Sequence, residues 1–215
     1  MLIILLTIFV SSFIIALSGA LMPGPLLTVT ISESSRHGFI TGPLLITGHA
    51  ILELGLVIAL LLGLAPFFQQ PLVFVTTALI GSAILFWMAF RMFRSLPSLR
   101  LSWEPDHKRR NHPMISGILM SVANPYWIIW WATIGLGYIL YSRQFGFWGI
   151  AFFFMGHILA NLAWYSLISA AVTGGRYFLT DRLYRGLIAG CAVFLVVFAG
   201  YFFYAGFVKL NVLIS

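Results

Sequence analysis

Charge is what this chain has least of. Of its 215 residues only 8% are Asp, Glu, Lys or Arg, while 61% are hydrophobic and the mean hydropathy is +1.02. A soluble domain carries about a quarter charged residues, and no soluble fold hides so much apolar surface. The scarcity excludes a soluble protein and places the chain in a membrane. Cysteine is nearly missing too. Cys191 stands alone, which excludes an internal disulfide or a two-thiol redox relay. The sequence contains no HExxH, no G-x-S-x-G and no phosphate-cradling glycine loop, so an enzyme has no motif to stand on.

What is present are long apolar runs. A helix needs about 20 apolar residues to cross the hydrocarbon core, and six stretches qualify: roughly 3–31, 42–66, 71–93, 113–141, 146–171 and 184–208. The N-terminal run lacks the basic start of a cleaved signal peptide and reads as the first span. The expected fold is an all-α membrane protein, a single integral domain over 1–215.

The net charge of +7 does not mark a nucleic-acid binder, because of where the basic residues sit. Arg91, Arg94, Arg100, Lys108, Arg109 and Arg110 crowd one connection, with Arg36 after the first span and Arg176, Arg182 and Arg185 after the fifth. The other side has only Arg143 and Lys209. Basic residues in short loops stay in the cytoplasm. That puts the 94–112 loop inside the cell and both termini outside, in a multi-pass arrangement.

The two halves echo each other. "LMPGPLL", "GHAILELGLVIAL" and "ALIGSAILFWMAF" in the first (about 1–95) meet "VANPYWI", "GHILANLAWYSLI" and "GLIAGCAVFLVVF" in the second (about 113–212). Three spans per half is an odd number, so the second copy would enter the membrane from the opposite side. Such inverted repeats are a common construction in secondary transporters. In this reading spans 1 and 4 are broken by proline, at Pro23–Gly24–Pro25 and at Asn124–Pro125. Proline removes a backbone donor and clashes with the preceding turn. Irregular backbone survives at membrane depth only inside protein or beside a wet cavity, and a half-helix N-terminus there suits a carboxylate. A purely structural kink is the competing reading of each break.

Glu53 is the one acid expected within a span; Glu33, Glu104, Asp106 and Asp181 fall in loops. At 1.5 Å per residue it lies about 17 Å deep, near the midplane, and His157 lies equally deep in its own span. His49 and Glu53 are four apart, hence on one helical face, and His157 and Asn161 repeat that spacing. Desolvation penalises the charged form of either group, so a carboxylate beside a histidine makes a proton carrier. The alternative is a protonated Glu gluing helices together. In the aromatic run "YWIIWW", Trp127 and Trp131 share a face, with interfacial packing as the competing role. Ser32, Ser34 and Ser35, beside Glu33 and His37, read as a solvated turn. Gly186 and Gly190 form a small-xxx-small pair that permits close contact within or between subunits, leaving a homo-oligomer open.

At "MPGPLLTVTISESSRHGFITG" and "VANPYWIIWWATIGL" the sequence resembles the LysE/RhtB family of amino-acid exporters, over nearly the whole chain. The resemblance implies a bacterial or archaeal inner-membrane exporter with six hydrophobic segments. Such proteins expel amino acids or similar small metabolites at the expense of an ion gradient. Its proline motif falls on Pro23, Gly24 and Pro25, and its Asn-Pro on Asn124 and Pro125.

Together these readings give a secondary exporter with substrate-binding candidates Pro23, Gly24, Pro25, His49, Asn124, Pro125, Trp127, His157 and Asn161, and Glu53 as the proton-coupling residue. The expected partners are a small solute, protons and membrane lipid, with no cofactor and no nucleic acid. Export of a divalent metal through His49, Glu53, His157 and Asn161 is the alternative, since nitrogen and oxygen ligands suit such ions. A non-transporting membrane subunit or an intramembrane enzyme ranks below both.

Overall fold

In the computed structural model, which describes residues 1–68, 70–98, 112–175 and 180–214 and the backbone alone at 65, 68 and 125, every regular element is helical. The first span is helix α1 (Leu2–Ala20), which stops at Leu21. The chain resumes at α2 (Pro25–His37) after Gly24 takes an extended conformation, φ −152° and ψ −171°. Pro25 occupies the first helical position, where its missing N–H costs nothing. Helix α3 (Thr41–Ala59) runs into a wide turn at Leu60–Leu64, where Gly63 reaches φ +119° before the short α4 (Ala65–Phe68). Helix α5 (Pro71–Ser95) closes the first half.

The second half begins with α6 (Pro113–Val122), breaks at Asn124 and resumes at α7 (Pro125–Trp130). A wide turn at Trp131–Gly135 then leads into α8 (Leu136–Arg143). Two long helices follow, α9 (Gly146–Gly174) and α10 (Asp181–Ile214). Among the described residues five helices are long and apolar enough to cross a membrane: α1, α3 with its wide turn, α5, α9 and α10. The fourth expected span is divided into three helical pieces by proline and the wide turn, so none is long enough alone. Its first piece, Pro113–Val122, is a shorter apolar helix.

Helix α1 lies along α9, α6 along α3, α3 against α9, and α5 along α10. Small residues set the closest approaches. A Cβ on Gly48 would collide with the backbone of Met114 on α6, and one on Gly156 with the backbone of Phe9 on α1. Each glycine precedes a histidine, so the bare backbone brings that histidine up against the opposing helix. Gly186 and Gly190 have open space around them.

The packing leaves a polar layer between two apolar clusters. Along α3 and into its wide turn, Leu45 and Ile46 belong to one cluster and Val57 and Leu60 to the other. His49 and Glu53 fall in the gap. Along α9, Phe153 and Tyr165 flank His157 and Asn161 in the same way.

Two loop expectations need correcting. Asp181 is the first residue of α10, where an acid suits a helix N-terminus. Glu33 and Ser32–Ser35 do not form a loop: α2 continues to His37, and Ser34 and Ser35 are buried. The Ser34 hydroxyl lies 2.6 Å from that of Ser169 on α9, and Ser169 Oγ also accepts from the Gly42 N–H at 3.0 Å. The polar face of α2 finds its partner inside the bundle instead of in water. Of the basic residues used for orientation, Arg100, Lys108, Arg109, Arg110 and Arg176 lie outside the described residues.

Candidate functional site

Glu53 is only 1% exposed and its carboxylate is held by donors from three helices. Trp127 Nε1 donates to Oε1 at 2.9 Å and Trp131 Nε1 donates to the same oxygen at 2.7 Å. His49 Nε2 stands 3.1 Å from Oε1, and His157 Nε2 stands 2.8 Å from Oε2. Each contact follows from local sequence. The i,i+4 spacing puts His49 over Glu53 on α3. The same spacing puts both indoles on the inner face where α7 enters the wide turn. Such wide turns often occur at functional sites because they re-aim side chains.

The supporting partners differ between the two histidines. His49 Nδ1 is 2.7 Å from Ser121 Oγ on α6, and Ser121 in turn is 2.7 Å from its own helix's Gly117 carbonyl. His157 Nδ1 is buried with no partner, enclosed by the rings of Trp130, Trp131 and Phe153 at centroid distances of 4.8, 5.3 and 6.0 Å. Asn161 Nδ2 donates to the His157 carbonyl at 3.1 Å, within its own helix.

His49, Glu53, Ser121, Trp127, His157 and Asn161 line one void of about 60 Å³, room for a few waters at roughly 10–15 Å³ each. Of the candidates read from sequence, it brings together Gly24, His49, Glu53, Asn124, Trp127, His157 and Asn161. Pro23 lines a smaller adjoining crevice with Gly24 and Asn124. Pro25 is buried at the start of α2, and Pro125 heads α7. The two breaks meet here: a Cβ on Gly24 would lie 3.6 Å from Asn124 Nδ2. They are finished differently. Asn124 Oδ1 accepts from the Tyr126 N–H at 3.2 Å and caps α7, whereas no side chain caps α2. The first turn of α2 therefore leaves the N–H groups of Leu26 and Leu27 without a capping side chain, with Leu26 beside the void, the electropositive end of a half-helix.

Sequence reasoning missed Ser121, Trp130 and Tyr165 as site residues, which also line the void, and left Trp131 open between packing and the pathway. The spacing of Trp127 and Trp131 was the signal available for the latter. Ser121 sits in an oily helix with no pattern around it.

His49, Glu53 and His157 offer ligand atoms within 4.8 Å of one another, enough in number for a metal ion. Oε1 is already contested: indole N–H groups are obligate donors and two of them aim at it, so a cation there would compete with both.

The model of the LysE type translocators matches residues 17–206. The chain belongs to the LysE type translocator family. It is a multi-pass membrane translocator, and both helix breaks and the Glu53 cluster lie within the matched region. Searches of curated proteins and of solved structures found no match.

Proposed function

We propose that this LysE type translocator is a proton-coupled exporter that carries a small zwitterionic or carboxylated solute, an amino acid or a similar metabolite, out of the cytoplasm across the inner membrane. The observation that carries the reading is a buried carboxylate, held by four N–H groups or ring nitrogens, in a void beside an uncapped half-helix. In this reading the first turn of α2 takes the solute's carboxylate and Glu53 exchanges a proton as the site changes sides. With one carboxylate in the void, a neutral amino acid suits the site better than a cationic one, which would demand a second acid.

The two halves work as an inverted repeat. The pairings support this, because α1 on α9 and α6 on α3 exchange places under such a relation, while α5 on α10 maps onto itself. The apolar clusters on either side of the polar layer then serve as two gates. A void with room for only a few waters is too small for a solute, so admitting one requires one cluster to part. With the basic loop in the cytoplasm both termini face outward.

Efflux from inside-loaded vesicles, screened across amino acids with and without a pH gradient, tests the proposal. It requires at least one neutral amino acid to leave faster when the gradient is imposed. Efflux equal to that of protein-free vesicles for every solute overturns it and favours a non-transporting subunit.

A further inference from the structure

We infer that Ser121 and His49 form the proton wire that loads Glu53 from the central void, and that His157 does not conduct. The inference rests on the proton-coupled reading above and deepens it by naming the route.

The argument is an accounting of protons. Glu53 Oε1 already accepts from two indoles, so His49 Nε2 at 3.1 Å must carry a proton for that contact to be favourable. The ring's other nitrogen faces Ser121, whose single hydroxyl proton has two destinations at 2.7 Å. Directed at Nδ1, it satisfies a neutral His49. Directed at the Gly117 carbonyl, it leaves Oγ free to accept from Nδ1–H of a charged His49. Both states of His49 are fully hydrogen-bonded, and one hydroxyl rotation separates them. His157 has no such adaptor. A second proton on its Nδ1 would be a buried N–H with no acceptor, which is expensive, whereas an unpaired lone pair costs less.

The transfer balances. Ser121 lines the void; it passes its hydroxyl proton to His49 Nδ1 and takes the incoming one from a hydronium in the void, which is left as water. His49, now carrying protons on both nitrogens, releases the one on Nε2 to Glu53 Oε1. His49 is left neutral with Nδ1–H pointing at Ser121 Oγ, and Glu53 holds the incoming proton. The titratable groups that line the void with His49 are Glu53 on its own helix, Tyr126 from α7, and His157 and Tyr165 from α9, with the Ser121 hydroxyl from α6. No Lys or Arg lines the void. Ser121 is a positioning residue in this scheme, since it acts through His49.

The test is ring-¹⁵N NMR of histidine-labelled protein in nanodiscs as the pH is lowered, on the wild type and on Ser121→Ala and Ser121→Thr. In the wild type the ring of His49 gains its second proton before that of His157. In Ser121→Ala that order is lost, and the ratio of gradient-driven efflux to solute exchange falls at least about tenfold. Ser121→Thr, which keeps a hydroxyl, recovers both. If His157 takes its second proton first in the wild type, or if Ser121→Ala leaves the order unchanged, the inference is overturned. The spectra decide this without transport: absence of gradient-driven efflux in the wild type would sink the exporter reading and leave the NMR result standing.

Discussion

The indole of Trp131 donates to Glu53 across 2.7 Å, tying the wide turn after α7 to the middle of α3. The neighbouring Trp130 is also buried, yet its N–H has no partner. Two adjacent tryptophans thus differ in one respect that mutation can isolate. Trp131→Phe removes a charge-assisted hydrogen bond as well as packing, and should lose about 1.5–3 kcal/mol more than packing alone. Trp130→Phe measures the packing loss. Unfolding temperatures in detergent should fall clearly further for Trp131→Phe; equal falls would mean that the bond to Glu53 is worth nothing.

Gly48 brings α3 against α6 so that His49 reaches Ser121. Gly48→Ala should cost about 1–3 kcal/mol through overpacking. Gly55, two residues beyond Glu53, has open space around it, and Gly55→Ala should be neutral or slightly stabilising, since alanine suits a helix better. Thermal stability of the two variants, compared side by side, checks this; a Gly48→Ala protein as stable as Gly55→Ala would contradict the close approach.

Ser169 receives two contacts, from Ser34 and from the Gly42 N–H. Ser169→Ala leaves a buried backbone donor unpaired and should destabilise by about 1–3 kcal/mol. Ser34→Ala leaves the Gly42 bond intact and should cost less. The reverse order in a denaturation series would show that the α2–α9 bond, and not the α3 contact, is the important one.

The metal reading makes the opposite demand on the same cluster. Calorimetric titration of the purified protein with zinc, cobalt or manganese should show no stoichiometric binding, because the indole donors occupy Oε1. A one-to-one site lost in Glu53→Gln would contradict the donor argument.

Much of this arrangement is legible in the sequence because membrane helices obey few rules. Two prolines flanking Gly24 leave little choice but a break, and the chain stops at Ala20 and resumes at Pro25. The i,i+4 spacing of His49 and Glu53 survives as a 3.1 Å contact. What sequence could not show depends on neighbours far along the chain. Ser121 matters only because α6 lies against α3 at Gly48. Trp131 could be weighed as packing because its spacing to Trp127 says which residue shares its face and not what that face meets. The Ser32–Ser35 stretch reads as a solvated turn because its polarity resembles a loop, while the buried partner, Ser169, is far off in sequence.

The central claim is that Glu53 carries the coupled proton. Glu53→Gln keeps the shape of the side chain and an acceptor oxygen for the indoles, but cannot exchange a proton. The decisive measurement compares this variant with the wild type in the same vesicles, for gradient-driven efflux and for exchange of labelled against unlabelled solute. The account predicts that exchange persists while the response to the pH gradient disappears; a Glu53→Gln protein whose efflux still accelerates with the gradient as the wild type's does would contradict it.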